Sequence, residues 1–174
     1  MSRIPLPTPH SLSEEQKEQY RRFPSNLVRA LLVTTCSTNG YISLGASFPA
    51  GKLGNKDREM IILRVGALSG SAYERMQHLP LALKAGWSEE DIEKIENGIL
   101  AGEREKAILD FVEECIKNVK VSTETFNRVR HYYDDTQIAE LTLLIGHYMM
   151  TARFLETLEV DLDENPTPWD AVMA

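Results

Sequence analysis

The chain has very little with which to do thiol or metal chemistry. Among 174 residues there are two cysteines, Cys36 and Cys115, and four histidines. No second Cys or His lies at metal-ligand spacing from either thiol, so no metal site is expected. Cys115 falls on the apolar stripe of a helical pattern and reads as a buried thiol; Cys36 has polar neighbours and forms no motif. Long hydrophobic runs are missing too. None is longer than Met60-Ile61-Ile62-Leu63, which stops at Arg64, far short of the roughly 20 apolar residues of a membrane span. The opening Met-Ser-Arg-Ile-Pro-Leu-Pro-Thr-Pro holds no apolar secretion signal, so no membrane contact and a cytoplasmic location are expected. Basic excess is absent as well: 19 Lys and Arg against 26 Asp and Glu leave a net charge of -7 and a pI near 5.2. Nucleic-acid binding leans on clustered cations, and no such cluster exists, so no nucleic-acid partner is expected.

What is present is ordinary for a globular protein, with 43% hydrophobic and 26% charged residues, in a length that suits one domain. Strand signals are nearly absent, while caps followed by apolar residues at helical spacing recur throughout. The expected fold is all-α, a single domain of about eight helices. Residues 1–12, with three prolines, read as an extended arm laid on the surface or on a neighbouring subunit, and 13–165 as the helical domain. Ser13 opens a polar helix to about Arg22. Ser25 or Asn26 caps the next, carrying Leu27, Leu31, Leu32 and Cys36, with an interruption at Asn39-Gly40 before a second segment ends at Pro49. Asn55 caps a very hydrophobic helix to about Leu68, whose apolar circumference implies burial on several sides. Ser71 to Ala85 form another, with Gly86 after its end and a kink at Pro80. Further helices start at Ser88, after Gly102, at Ser122 and at about Thr136, the last reaching Leu158. Residues 166–174 form a tail marked by Pro166, Pro168 and Trp169.

Ser71, Glu74 and His78 stand at i, i+3 and i+7 and share one helix face, twelve residues after Glu59. Glu59 interrupts an apolar helix, so it is either solvated or paired, or it sits in a functional pocket, because burying an unpaired charge is costly. Ser71-x-x-Glu74 after Gly70 has the form of a capping box; alternatively Glu74 accepts from His78 at i,i+4, fixing its tautomer and raising its pKa. The stretch from Asp57 to Gly66 also echoes Gln137 to Gly146, with Glu59 matching Glu140, as related halves of a bundle would.

The block Leu53-Gly54-Asn55-Lys56-Asp57-Arg58-Glu59-Met60-Ile61-Ile62-Leu63-Arg64, followed by Gly70 through Ser88, resembles the core of the carboxymuconolactone decarboxylase family, which includes the AhpD-type alkylhydroperoxidases. The segment Leu143 to Met150 and the closing Val160-Asp161-Leu162-Asp163-Glu164 resemble its longer members, so the resemblance covers about residues 20 to 165 and implies an AhpD-like helical bundle. In the peroxidase branch the pattern is Glu, then Cys-x-x-Cys-x-x-x-His. Carried over, the glutamate is Glu59 and the histidine His78, while the cysteines fall on Ser71 and Glu74. Both sulfurs are absent, and a serine hydroxyl offers no comparable redox chemistry. The resemblance instead implies cofactor-independent acid/base chemistry, of decarboxylase or isomerase type, on a small carboxylate or lactone. His78 would be the proton donor and acceptor, Glu59 its orienting or second acid/base group, with Glu74 and Ser71 in support. Arg64 or Arg75 would hold a substrate carboxylate and Tyr73 would donate a hydrogen bond, each with a plain alternative as surface charge or interface packing. His147 reads as a satisfied interface histidine. An alkylhydroperoxidase of peroxiredoxin type and a non-catalytic ligand-binding oligomer are the rival readings. The family resemblance also implies a homo-oligomer, a trimer or a hexamer.

Overall fold

Side-chain oxygens decide where five of the helices begin. Ser13, Ser25, Ser88, Ser122 and Asp134 each accept a hydrogen bond from a first-turn amide, at 2.8 to 3.2 Å, satisfying donors that have no partner inside the helix. At Ser13 and Asp134 a glutamine three residues on completes a capping box. The computed structural model describes residues 1–167; most of the expected tail, with Pro168 and Trp169, lies outside the described residues. Among these residues nine α-helices follow in order: α1 (Glu14–Arg22), α2 (Asn26–Leu31), α3 (Thr38–Ser47), α4 (Asn55–Leu68), α5 (Ala72–Lys84), α6 (Glu89–Asn97), α7 (Glu103–Asn118), α8 (Thr123–Arg130) and α9 (Asp135–Leu158). No strand occurs among the described residues, and none of their helices is long and apolar enough to cross a membrane.

The expected break at Asn39-Gly40 is misplaced. The chain leaves the helix at Leu31, because the hydroxyls of Thr34 and Thr38 both donate to the Leu31 carbonyl, at 2.7 and 2.9 Å, and so compete with helix continuation. Cys36 is therefore in an exposed connection and Asn39-Gly40 lie within the first turn of α3. Helix α5 runs through Pro80. Gly86, just past it, takes φ +93°, a left-handed conformation that costs glycine little.

Helix α4 is the axis of the molecule, with α5, α6, α7 and α9 packed around it. Every residue from Arg58 to Gly66 is buried, as its all-round hydrophobicity implies. That hydrophobicity is consumed within one chain and so gives no reason for a subunit contact. The main core joins α4 to Ile92, Ile95, Ile108, Phe111, Leu141 and Leu144. A second, smaller core joins Leu27, Val28 and Leu31 of α2 to Ile42, Tyr73 and Leu155. The N-terminal arm rests on its own chain: Pro7 accepts from Arg29 Nε at 2.8 Å, and the Arg3 amide donates to Leu158 at 2.8 Å. The echo between α4 and α9 has no functional parallel, since Glu140 binds the Lys52 and Leu53 amides at 2.7 and 3.0 Å while Glu59 points into the interior.

Candidate active site

Where α5 crosses α4, three ionisable side chains meet inside the protein. Gly66 makes the close approach possible, since a Cβ there would lie 3.3 Å from Glu74 Cβ. His78 Nδ1 is 2.8 Å from Glu59 Oε2, and His78 Nε2 is 3.6 Å from Glu74 Oε2. Glu59, Glu74 and His78 are only 3 to 4% exposed. The Glu59 contact assigns a proton to Nδ1 and leaves Nε2 facing Glu74. Arg58, also buried, approaches Glu59 Oε1 at 3.8 Å and is held by Asn55 at 2.8 Å. Tyr148 meets the His78 ring edge-on, with centroids 5.0 Å apart.

These surroundings shift the titrations in a definite direction. Burial opposes a charge on His78, but Glu59, by charge and hydrogen bond, and Glu74 outweigh it, so its pKa is raised above the usual imidazole value. Burial pushes Glu74 up to about 7, against the pull of His78. A carboxyl held near neutrality therefore faces an imidazole whose protonated form is favoured, as proton transfer between them requires.

Glu74, His78 and Tyr148 line a cavity of about 70 Å³ at the seam between the two cores. Its apolar wall includes Phe23, Leu27, Val28 and Ile42. Tyr41, which hydrogen-bonds Thr151 at 2.5 Å, and His147 also line it. A separate cleft of about 240 Å³ on the other side of His78 is lined by Asn55, Arg58, Glu59 and Lys84. His78 borders both, the cavity at Glu74 being termed the inner chamber and the cleft at Glu59 the outer.

Not every expected residue arrives here. The capping box of Ser71 and Glu74 does not form: the Ser71 amide donates to the Gly66 carbonyl at 2.9 Å, and the Glu74 carboxylate is turned to His78. Ser71 Oγ is buried without a hydrogen-bond partner among the described residues and borders a different cleft, beside Gly70 and Arg75. Arg64 joins Glu113 of α7 and the Glu96 carbonyl at the end of α6. Arg75 is exposed and bound to Glu96 at 2.6 Å. Neither arginine lines the cavity. Tyr73 does, but its hydroxyl accepts from the Leu27 amide at 3.1 Å and donates to Asp163. Gln77 donates to the same carboxylate at 3.0 Å, so this pair clasps the C-terminal segment onto α5. His147 is not satisfied: it is buried against Tyr41, Phe48 and Tyr148, and its Nδ1 has no partner among the described residues. Burial lowers its pKa to about 4. Arg58, Tyr41, Gln77, His147 and Tyr148 were missed as wall or support residues, because helix spacing cannot reveal which distant elements close a cavity. Neither Cys36 nor Cys115 lines it, and burial raises the Cys115 thiol pKa. Among the described residues no group of three or more His, Cys, Asp or Glu side chains is arranged so that it could hold a metal ion.

Residues 42–114 match the model of the Carboxymuconolactone decarboxylase family. No curated protein matches. Among solved structures, the alkylhydroperoxidase AhpD core of an uncharacterized peroxidase-related protein from Ralstonia eutropha JMP134 superposes with TM-score 0.81 at 17% identity, over 94% of this chain and 93% of that one. An uncharacterized peroxidase-related protein from Silicibacter sp. TM1040 gives 0.79 at 16%, over 94% and 92%. The debrominase Bmp8 C82A in complex with 2,3,4-tribromopyrrole gives 0.70 at 14%, over 86% and 83%.

The raised Glu74 and His78 pKa values make the folded state hold protons that the unfolded chain releases. The resulting stability is complete below the ordinary carboxylate pKa. It is lost as pH rises through the folded pKa values, at about 7 for Glu74 and above the usual imidazole value for His78. Glu74→Gln removes one of these groups without removing its bulk. The melting temperature of the variant, relative to the natural protein, is expected to be higher at about pH 8 than at about pH 5, by roughly 3 °C or more. A difference independent of pH would show that Glu74 is not held near neutrality.

Proposed function

We propose, for this chain with its AhpD-like helical fold and its match to the carboxymuconolactone decarboxylase family over residues 42–114, cofactor-independent acid/base chemistry on a small carboxylate or lactone in the inner cavity. The observation that carries the reading is the buried imidazole held between two buried carboxylates. His78 is the proton donor and acceptor. Glu59 orients it through Nδ1 and stabilises its charge, and Glu74 is the second acid/base group, poised on the cavity wall. In an isomerase-type step, the Glu74 carboxylate takes a proton from the carbon beside a substrate carbonyl as that C–H bond breaks. The imidazolium then returns a proton to the resulting enolate at another carbon, and the pair exchanges its proton to reset. No electrons leave the substrate. In a decarboxylation the imidazolium would protonate the carbanion left by CO₂. The apolar wall strengthens each interaction by excluding water.

A thiol peroxidase reading has less support, since neither cysteine reaches the cavity and Ser71 and Glu74 occupy the positions its sulfurs would need. A ligand-binding protein without chemistry would not need two carboxylates on one buried histidine. Homo-oligomerisation remains part of the proposal, on the exposed apolar Leu143 and Met150 of α9. Light scattering is expected to return a multiple of 19.7 kDa; a monomer at micromolar concentration would remove it.

Exchange of substrate C–H hydrogen with solvent deuterium tests the chemistry without knowledge of the natural substrate. The natural protein is expected to deuterate small enolisable ketones and lactones. His78→Gln should slow this by about 10²-fold or more, and Glu59→Gln by less. Exchange unchanged in His78→Gln would refute the assignment.

A further inference from the structure

The charges around the inner cavity are one-sided. Among the described residues no lysine or arginine lines it, and its wall groups of acidic or basic character are Glu74, His78 and His147. His147 contributes no cation near neutrality, because burial lowers its pKa to about 4. Behind the wall stand two more carboxylates: Glu59 against His78, and Asp163 against Tyr73 and Gln77. Arg58, the cation beside Glu59, opens onto the outer cleft instead. Arg64 and Arg75 are committed to Glu113 and Glu96 on other faces. A carboxylate entering this cavity would give up its water and meet three carboxylates around a single imidazolium. Burial of a charge on those terms is strongly disfavoured.

The polar groups that remain suit an uncharged molecule. The hydroxyls of Tyr41 and Tyr73 and both ends of Gln77 are already engaged, by Thr151, by Asp163 and the Leu27 amide, and by Asp163 and the Thr167 amide. His147 Nδ1 is buried with no partner among the described residues, which favours placing the ring proton on Nε2, since an orphaned N–H is the rarer situation. Nε2 lies on the side of Gly45, itself a wall residue. The cavity therefore offers, among the described residues, one acid/base pair at His78 and Glu74, one neutral imidazole, the phenol of Tyr148, and apolar surface between them.

We propose that the inner cavity takes a small uncharged carbonyl compound, a lactone or an enolisable ketone, and discriminates against carboxylates. This rests on the acid/base reading for the reacting groups and narrows it, because an uncharged substrate undergoes a proton shift rather than loss of CO₂. The bond changes are those of the isomerase-type step: one C–H is broken to Glu74, one is formed from the imidazolium, and nothing else is consumed.

A matched pair of probes separates the charge from the shape. 4-Oxopentanamide and 4-oxopentanoate have the same number of heavy atoms and the same ketone, and differ in charge at about pH 7.5. Ligand-observed NMR titration of the natural protein in D₂O reports affinity and, in the same samples, deuteration beside the ketone. The amide is expected to bind with a Kd of about millimolar, as its size allows, and at least about tenfold more tightly than the carboxylate. Gly45→Ala keeps the helix and adds a methyl 3.4 Å from His147 Nε2. It should fold normally and weaken the amide about fivefold by narrowing the cavity. Equal affinities, preference for the carboxylate, no binding of the amide, or indifference to Gly45→Ala would each overturn the proposal. Selective binding of the amide without deuteration would leave the ligand class standing and remove the acid/base function.

Discussion

A carboxylate cannot be left alone among Met60, Ile61 and Ile62, and the way Glu59 is satisfied organises the site. With 4% of its surface exposed, Glu59 needs a donor inside the protein. That donor is His78 of the adjoining helix at 2.8 Å, with Arg58 beside the other oxygen. The bond fixes the approach of α5 to α4, which Gly66 permits sterically. It also leaves the second imidazole nitrogen facing Glu74. Loss of either partner would strand a buried ionisable group, a destabilisation of about 3–5 kcal/mol in typical cases.

From that contact the cavity follows. The other side of α5 is tied down by Tyr73 and Gln77, which share Asp163, and Asp163 also accepts from the Asn26 amide at 2.7 Å. One carboxylate from the C-terminal segment thereby joins α2 to α5. The space left between α2, α3, α5 and α9 is closed by the apolar side chains of the smaller core and by His147 and Tyr148. The separation of an inner chamber at Glu74 from an outer cleft at Glu59 gives His78 two distinct environments on its two nitrogens.

Much of this was legible in the sequence, where the signal was local. Caps located most helix starts to within a residue or two, and the apolar circumference of α4 foretold its central position. Glu59, Glu74 and His78 were identified by helix spacing and family resemblance, and they do meet. Errors arose where two local rules competed or where distant segments decide. Ser71-x-x-Glu74 has the form of a capping box, but Gly66 takes the Ser71 amide and His78 takes the Glu74 carboxylate. Arg64 and Arg75 follow Glu59 and Glu74 by five residues and one, which is about 140° and 100° around a helix, so they fall on other faces. The roles of Tyr41 and His147 depend on α3 meeting α9, and no spacing within either helix encodes that. The end of α2 depended on Thr34 and Thr38 choosing the same carbonyl, a competition that periodicity does not register.

The central claim is that His78 titrates as a buried imidazole controlled by Glu59 and Glu74. NMR titration of its ring signals in the natural protein and in Glu59→Gln tests this most directly. The expected result is a pKa above the ordinary value of about 6.5 in the natural protein, lowered by the substitution as burial gains the upper hand. A pKa at or below that value, with superimposable curves for the two proteins, would contradict it.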